Sequence, residues 1–290
     1  MIAQHIRHIR RAAVAGSWYP GSPDTLAAAL DRHLQRTSRD VAGDLVALIA
    51  PHAGLMYSGP VAAHAYRLLR ERRFDVAVLV GPSHFVSFDG VSIVRAGGFE
   101  TPFGVAAIDD GTATALIDAT PVVREHPAAH VREHSLEMQL PFLQHLAPAT
   151  PIVPLVMGQQ TSTTARALGD ALAAVLRGRN ALVIASTDLS HFRDAATAAA
   201  LDRVVIDCVS RFDADGLQDA LEVEPNHACG GGPTVAVMRA ARLLGARDAV
   251  ILTYGDSGDV SGDKSAVVGY MAAALGTFES AAAEAAEAKC

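Results

Sequence analysis

The chain has 290 residues, half of them hydrophobic but only 5% aromatic, with 31 acidic against 24 basic side chains and a formal net charge of −7. That length supports one large α/β domain with a core of Ala, Val, Leu and Ile. The acidic balance, without a basic run, argues against nucleic-acid or anionic-membrane binding.

The first residues, "MIAQHIRHIRRAAVAG", are basic but lack the apolar stretch and cleavage site of a secretory signal. No later run is long and apolar enough to suggest a membrane span, so a cytoplasmic protein is expected. We read 1–13 as a basic N-terminal segment, 14–276 as a single α/β domain and 277–290 as a low-complexity tail, whose last twelve residues, "ESAAAEAAEAKC", form a frayed helix or are disordered. Three cysteines, Cys208, Cys229 and Cys290, lie too far apart for a disulfide framework.

In chain order, "GSWYPGSPDTLAAALDRHL" predicts an aromatic turn and then a helix, with Ser22 or Asp24 as its cap and Pro23 in its first turn. "DLVALIAPHAG" is a buried strand ending in a Pro/Gly turn that carries His52. A helix over roughly Gly59 to Arg72 follows. The second such strand, "DVAVLVGPSHF", ends at His84. "REHSLEMQLPFLQHL" reads as helical, "PIVPLVMGQQ" as a strand, and roughly Ser162 to Leu176 as a helix. "NALVIASTDLSHF" is a strand that ends in Asp188 and His191, and "DAVILTYGDSGD" is another. This alternation predicts a mainly parallel central sheet with helices on both faces. In open sheets of this kind ligands bind beyond the carboxyl ends of the strands, which is where His52, His84, Asp188 and His191 fall.

Each of these histidines alone is compatible with a turn residue bonded to a nearby carbonyl. Their recurrence after three separate strands points to one shared site. His5, His8, His33, His64, His126, His130 and His145 share no such placement and are assigned to surface or core. Two imidazoles and an anionic group are a common donor set for a single metal ion; a carboxylate as third ligand suits Fe(II), whereas a thiolate brings zinc and copper into competition. Cys229, in "HACGGGPTV", is the candidate thiolate. Gly230 to Gly232 allow close backbone approach, and a helix from Pro233 would place its positive end near the sulfur and lower the thiol pKa. Cys208 lies in an apolar helical stretch and reads as packing.

Asp188 and His191 are three apart, so on a helix they would share a face, with the carboxylate orienting the imidazole as in a general acid or base. The alternative is a helix cap with a histidine nearby. His134 and Glu137 have the same spacing and are candidates either for pocket-lining groups or for groups that support the ligands from behind. "CGGGPT" lacks the ending of a P-loop, and the Asp256, Asp259 and Asp263 loop lacks EF-hand spacing. A hydrolase using Cys229 as nucleophile, His191 as base and Asp188 as orienter is chemically coherent, but it leaves His52 and His84 without a role.

The motifs "AVAGSWYPG", "APHAGLMYSGPVAAHAY", "GPSHF", "TPFG", "EHSLEMQLPFLQ", "STDLSHF", "CGGGP" and "YGDSGDVSGD", in order from about Val14 to about Ala274, resemble the Memo family, labelled in bacteria and archaea as AmmeMemoRadiSam system protein B. The resemblance implies the fold of the class III extradiol dioxygenases, non-haem iron enzymes that open catechol rings. It makes His52 and His84 metal ligands, places Cys229 where the dioxygenases use a glutamate, and puts His191, preceded by Asp188, in the acid/base position. A dioxygenase-like oxidoreductase with a mononuclear iron (Fe2+) site is therefore expected, with copper or zinc as alternatives because a thiolate changes the redox preference of the ion. The alternatives in function are a binding module that takes a phosphopeptide or partner protein in the same cleft, and a metal-dependent hydrolase. The cleft ligand is an unknown small molecule or peptide. The family label further implies a radical-SAM protein and an AMMECR1-type protein as partners.

Overall fold

The computed structural model describes residues 8–37 and 41–279. The start of the basic segment, the low-complexity tail beyond Glu279 and Cys290 lie outside the described residues. Among those described, the chain builds β1 (Ile9–Arg10), α1 (Pro23–Gln35), β2 (Gly43–Ala50), α2 (Leu55–Arg67), β3 (Val76–Pro82), β4 (Val91–Ile93), β5 (Gly98–Thr101) and β6 (Gly104–Ala107). It continues with α3 (Asp110–Ala119), β7 (Val123–Glu125), α4 (Leu140–Leu146), β8 (Ile152–Met157), α5 (Ser162–Leu176), β9 (Ala181–Ser186) and β10 (His191–Arg193). The last elements are α6 (Ala195–Ser210), α7 (Ala214–Val223), α8 (Gly231–Leu243), β11 (Asp248–Asp256), α9 (Gly258–Ser261) and β12 (Val267–Phe278).

The large sheet runs β10-β12-β2-β9-β3-β8-β4-β7, with β11 also paired to β12. Its centre, β2, β9, β3 and β8, is parallel. The flanks are antiparallel where β12 meets β2 and β4 meets β8, so the sheet is mixed around a parallel core. Residues Val76 to Val80 of β3 have no solvent exposure, as expected for a strand covered on both faces. Side chains alternate between two cores: Leu48, Leu79 and Ile184 pack with α1, α2 and α4, whereas Ile49, Val80 and Val183 pack with α5 and α8. Burying each such Val, Leu or Ile contributes about 1.5–3 kcal/mol. That continuous burial holds the strand ends rigid, and the ends carry the site.

Two helices differ from expectation. α2 begins at Leu55, with Gly54 as its cap, and Gly59 and Pro60 lie inside it; a Gly-Pro pair read locally as a start is here carried through by packing. The "REHSLEMQL" segment is helical only from Glu137 onward, because the Glu133 carboxylate accepts the amides of His134 and Ser135 and holds those residues in a turn. The fold also begins before Val14: β1 pairs in parallel with β5, and Arg10 is buried.

Candidate metal centre

His52 follows β2 directly, and its imidazole is buried. Nδ1 lies 2.9 Å from Ser186 Oγ. The Ser186 hydroxyl spends its only proton on the Ser135 carbonyl at 2.7 Å and accepts from Gln139 Nε2 at 2.7 Å. Nδ1 of His52 is therefore the donor, and Nε2 carries a lone pair, facing Cys229 Sγ at 3.3 Å.

His84, past the end of β3, is oriented by a different partner. Its Nδ1 donates to Glu133 Oε1 at 2.8 Å, and its backbone amide donates to Oε2 at 2.6 Å. Burial works against the charge on Glu133, but the His84 bonds and the Ser135 amide overcome it and hold the pKa at about 2. An ionised acceptor on Nδ1 leaves Nε2 of His84 free to ligate.

Cys229 reaches the same point from the turn before α8. Its sulfur accepts the Asp188 amide at 3.3 Å. The glycines that follow are required by crowding: a Cβ on Gly230 would collide with the Ser186 carbonyl, and one on Gly232 would meet Met157 Sδ and Gln160 Cβ at 2.8 Å. Gln160 bridges the turn, donating to the Cys229 carbonyl and accepting the Gly232 amide, both at 2.7 Å.

The ligand atoms of His52, His84 and Cys229 all lie within 4.8 Å of one another. A single ion bonded at about 2.0–2.3 Å to imidazole nitrogen and thiolate sulfur sets its ligands about 3.4 Å apart, so a small contraction suffices. His84, Glu133 and His134 form a second group within the same limit. Glu133 is already committed there to amide and imidazole donors, so it acts as the outer partner of His84.

Two expectations are corrected by this geometry. Burial pushes the Cys229 thiol well above its ordinary pKa and the Asp188 charge raises it further, so the helix end does not by itself produce a thiolate; desolvation outweighs the dipole, and a thiolate ligand there would require a metal ion to displace the proton. Asp188 and His191 do not pair on a helix face, since the chain past β9 turns into β10. Asp188 Oδ1 instead accepts the amides of His52 at 2.7 Å and Ala53 at 3.3 Å, and Oδ2 lies 3.9 Å from His52 Nε2. Burial raises the Asp188 pKa to about 7 against the pull of those amides.

His191 is half-buried at the same strand edge. Its Nδ1–H donates to the Leu189 carbonyl at 2.8 Å, which leaves a lone pair on Nε2. Burial lowers its pKa, so the ring is neutral near pH 7. The next residue, Phe192, has a φ of 58° and holds its ring in solvent.

The His134 ring stacks on His84 at 4.4 Å and packs against Trp18 at 4.4 Å. Burial and the neighbouring His84 lower its pKa to about 4. Glu137 points elsewhere, to Arg10, Tyr19 Oη and the amides of Ala13 and Val14. Through those bonds it fixes the N-terminal strap that delivers Trp18 to the cleft. Glu133, Ser186 and Gln139 were not anticipated as partners of the site; a buried carboxylate close before a candidate histidine was the one available signal.

Comparison with known proteins agrees over nearly the whole chain. A family model described as "Memo-like protein" matches residues 10–274. A MEMO1 family protein of Methanothermobacter thermautotrophicus is 39% identical over 276 residues, covering 90% of this chain and 98% of the relative. One from Methanopyrus kandleri is 39% identical, covering 91% and 97%. Among solved structures, an uncharacterized protein of Escherichia coli K12 aligns with a TM-score of 0.55 at 16% identity, covering 78% of this chain and 99% of that one, a likeness of fold alone. No helix of the described residues is long and apolar enough to cross a membrane.

Proposed function

Because this chain belongs to the Memo family, we propose that His52, His84 and Cys229 hold one metal ion and that the protein is a non-haem iron oxidoreductase of the dioxygenase-like type. The observation that carries the reading is the pair of fixed imidazoles: each Nδ1 is tied to an acceptor, Ser186 or Glu133, His52 Nε2 faces the cysteine sulfur at 3.3 Å, and the ligand atoms of His52, His84 and Cys229 converge within 4.8 Å of one another. A satisfied core histidine has no need of that arrangement; a metal ligand does. Bound iron supplies the redox chemistry that protein side chains lack. Iron is preferred on the dioxygenase resemblance, while the donor set also suits zinc and copper.

The remaining residues divide the work around that ion. Trp18, His134 and Phe85 form an aromatic wall against which a small molecule or peptide is oriented. His191 accepts and returns a proton at Nε2, as its neutral state permits. Asp188, anchored to the His52 loop, holds that loop in register and places a carboxyl beside the imidazole.

Elemental analysis of protein purified without oxygen and without added metal tests the reading. Stoichiometric iron is expected, lost in His52→Ala and retained in His191→Ala. Metal-free wild-type protein would overturn it in favour of a binding module. Zinc alone would favour hydrolysis by a metal-activated water. Loss of metal in His191→Ala as complete as in His52→Ala would redraw the ligand set.

A further inference from the structure

With Asp188 committed to the His52 loop, the turn that carries His191 is held by another carboxylate. Asp202, on α6, is fully buried. Its Oδ1 accepts the Ser190 amide at 2.8 Å, and its Oδ2 accepts the Tyr254 hydroxyl at 2.8 Å. Gly269 on β12 makes room for it, since a Cβ there would collide with Oδ2. The same glycine grips the turn from the other side: its carbonyl accepts the Leu189 amide at 2.8 Å, and its amide donates to the Ser190 carbonyl at 3.0 Å. Leu189 in turn accepts Nδ1–H of His191. The turn ends at Phe192, a bulky residue in the left-handed region, and such a conformation persists only where its surroundings over-determine it.

We propose that Asp202 is the positioning residue of His191, acting through the Ser190 amide on the turn that aims the ring and through its buried charge on the ring itself. This rests on the reading of His191 as the proton-transfer group. The charged and titratable groups around the pair fit the assignment. On the His191 side, burial and His84 disfavour a proton on the ring, whereas the Leu189 bond and Asp202 favour one. On the Asp202 side, burial opposes the charge, and Ser190, Tyr254 and His191 support it. A proton on His191 would in turn disfavour one on His52. Asp202 is thus the one carboxylate that favours the protonated state of His191 among these influences.

The test is the titration of His191 by nuclear magnetic resonance in the full-length chain with 15N-labelled histidine, at equal metal content in every variant, with His191→Ala assigning the signal. Asp202→Asn keeps an oxygen for the Ser190 amide and removes the charge. Its expected effect is an approximately threefold to tenfold loss of proton affinity at His191, with metal stoichiometry unchanged. Tyr254→Phe keeps the charge and should not lower the affinity. An unchanged His191 titration in folded Asp202→Asn, or an equal loss in Tyr254→Phe, overturns the proposal. Should Asp202→Asn fail to fold, the wild-type protein decides: the 13C carboxyl signal of Asp202 should inflect at the His191 midpoint, as coupled sites do, and a flat signal overturns the coupling. None of these titrations requires a substrate. A fully active His191→Ala enzyme would remove the proton-transfer reading and leave the coupling standing, whereas a silent Asp202→Asn would do the reverse.

Discussion

Glu133 and Glu137 lie in one segment, "EHSLE", and both are buried, yet one serves the site and the other the fold. Glu133 accepts from the His84 ring and from the amides of His84, His134 and Ser135. Glu137 accepts from Arg10, Tyr19 and the amides of Ala13 and Val14. The two carboxylates differ in what donates to them rather than in their own chemistry. A buried acid is defined by its donors: where the donors include a candidate ligand ring it orients that ring, and where they belong to a distant strap it closes the domain.

The sharpest way to break that contrast is to remove the charge from each acid in turn. Glu137→Gln leaves the Arg10 guanidinium buried without its counter-ion, and breaking such a pair costs about 3–5 kcal/mol; chemical denaturation should read that loss, while the folded fraction binds metal normally. Glu133→Gln should do the opposite, lowering metal affinity about 10–100-fold, the usual effect of losing the partner of a ligating histidine, with a smaller loss of stability. Competition with a chelator measures the first effect and a melting curve the second. Equal metal loss in both folded variants would erase the distinction.

Acidity sharpens it further. The Glu133 pKa is depressed from its ordinary 4.5 to about 2, so the stability it contributes is present above the ordinary value and fades as pH falls toward 2. Glu133→Gln should flatten that part of the stability curve, measured by denaturation across the acid range. Metal affinity responds over a wider span. Burial keeps the Cys229 thiol protonated, and an ion bound as proposed would have to displace that proton, so affinity should rise by up to about tenfold per pH unit from this group below the thiol pKa. Proton release on metal addition to an unbuffered solution checks the sign, and no release would mean that the sulfur is not a ligand. The smallest effect belongs to Arg11, next to Arg10 but exposed and paired with Glu100 on the surface. Arg11→Ala should leave the melting temperature and metal affinity within error; a marked loss would mean that position in the strap, rather than burial, sets the value of a charge.

Much of this protein was determined by sequence acting locally. Apolar runs define β2, β3 and β9, the first two ending in Pro/Gly turns, and the recurrence of histidine after them brings His52, His84 and His191 to one edge, because parallel strands place their carboxyl ends together. The family motifs extend that reading from the strap to β12. What only the tertiary structure decided is which group answers which. Glu133 reaches His84 and Ser186 reaches His52 across 49 and 134 residues, separations that carry no periodic signal. Asp188, three residues from His191, looks to another loop because the chain there turns instead of coiling. Cys229 shows the physical reason most directly: the helix end beside it is visible in the sequence, while the burial that outweighs it, with the Asp188 charge added, arises only when distant segments fold together around the sulfur.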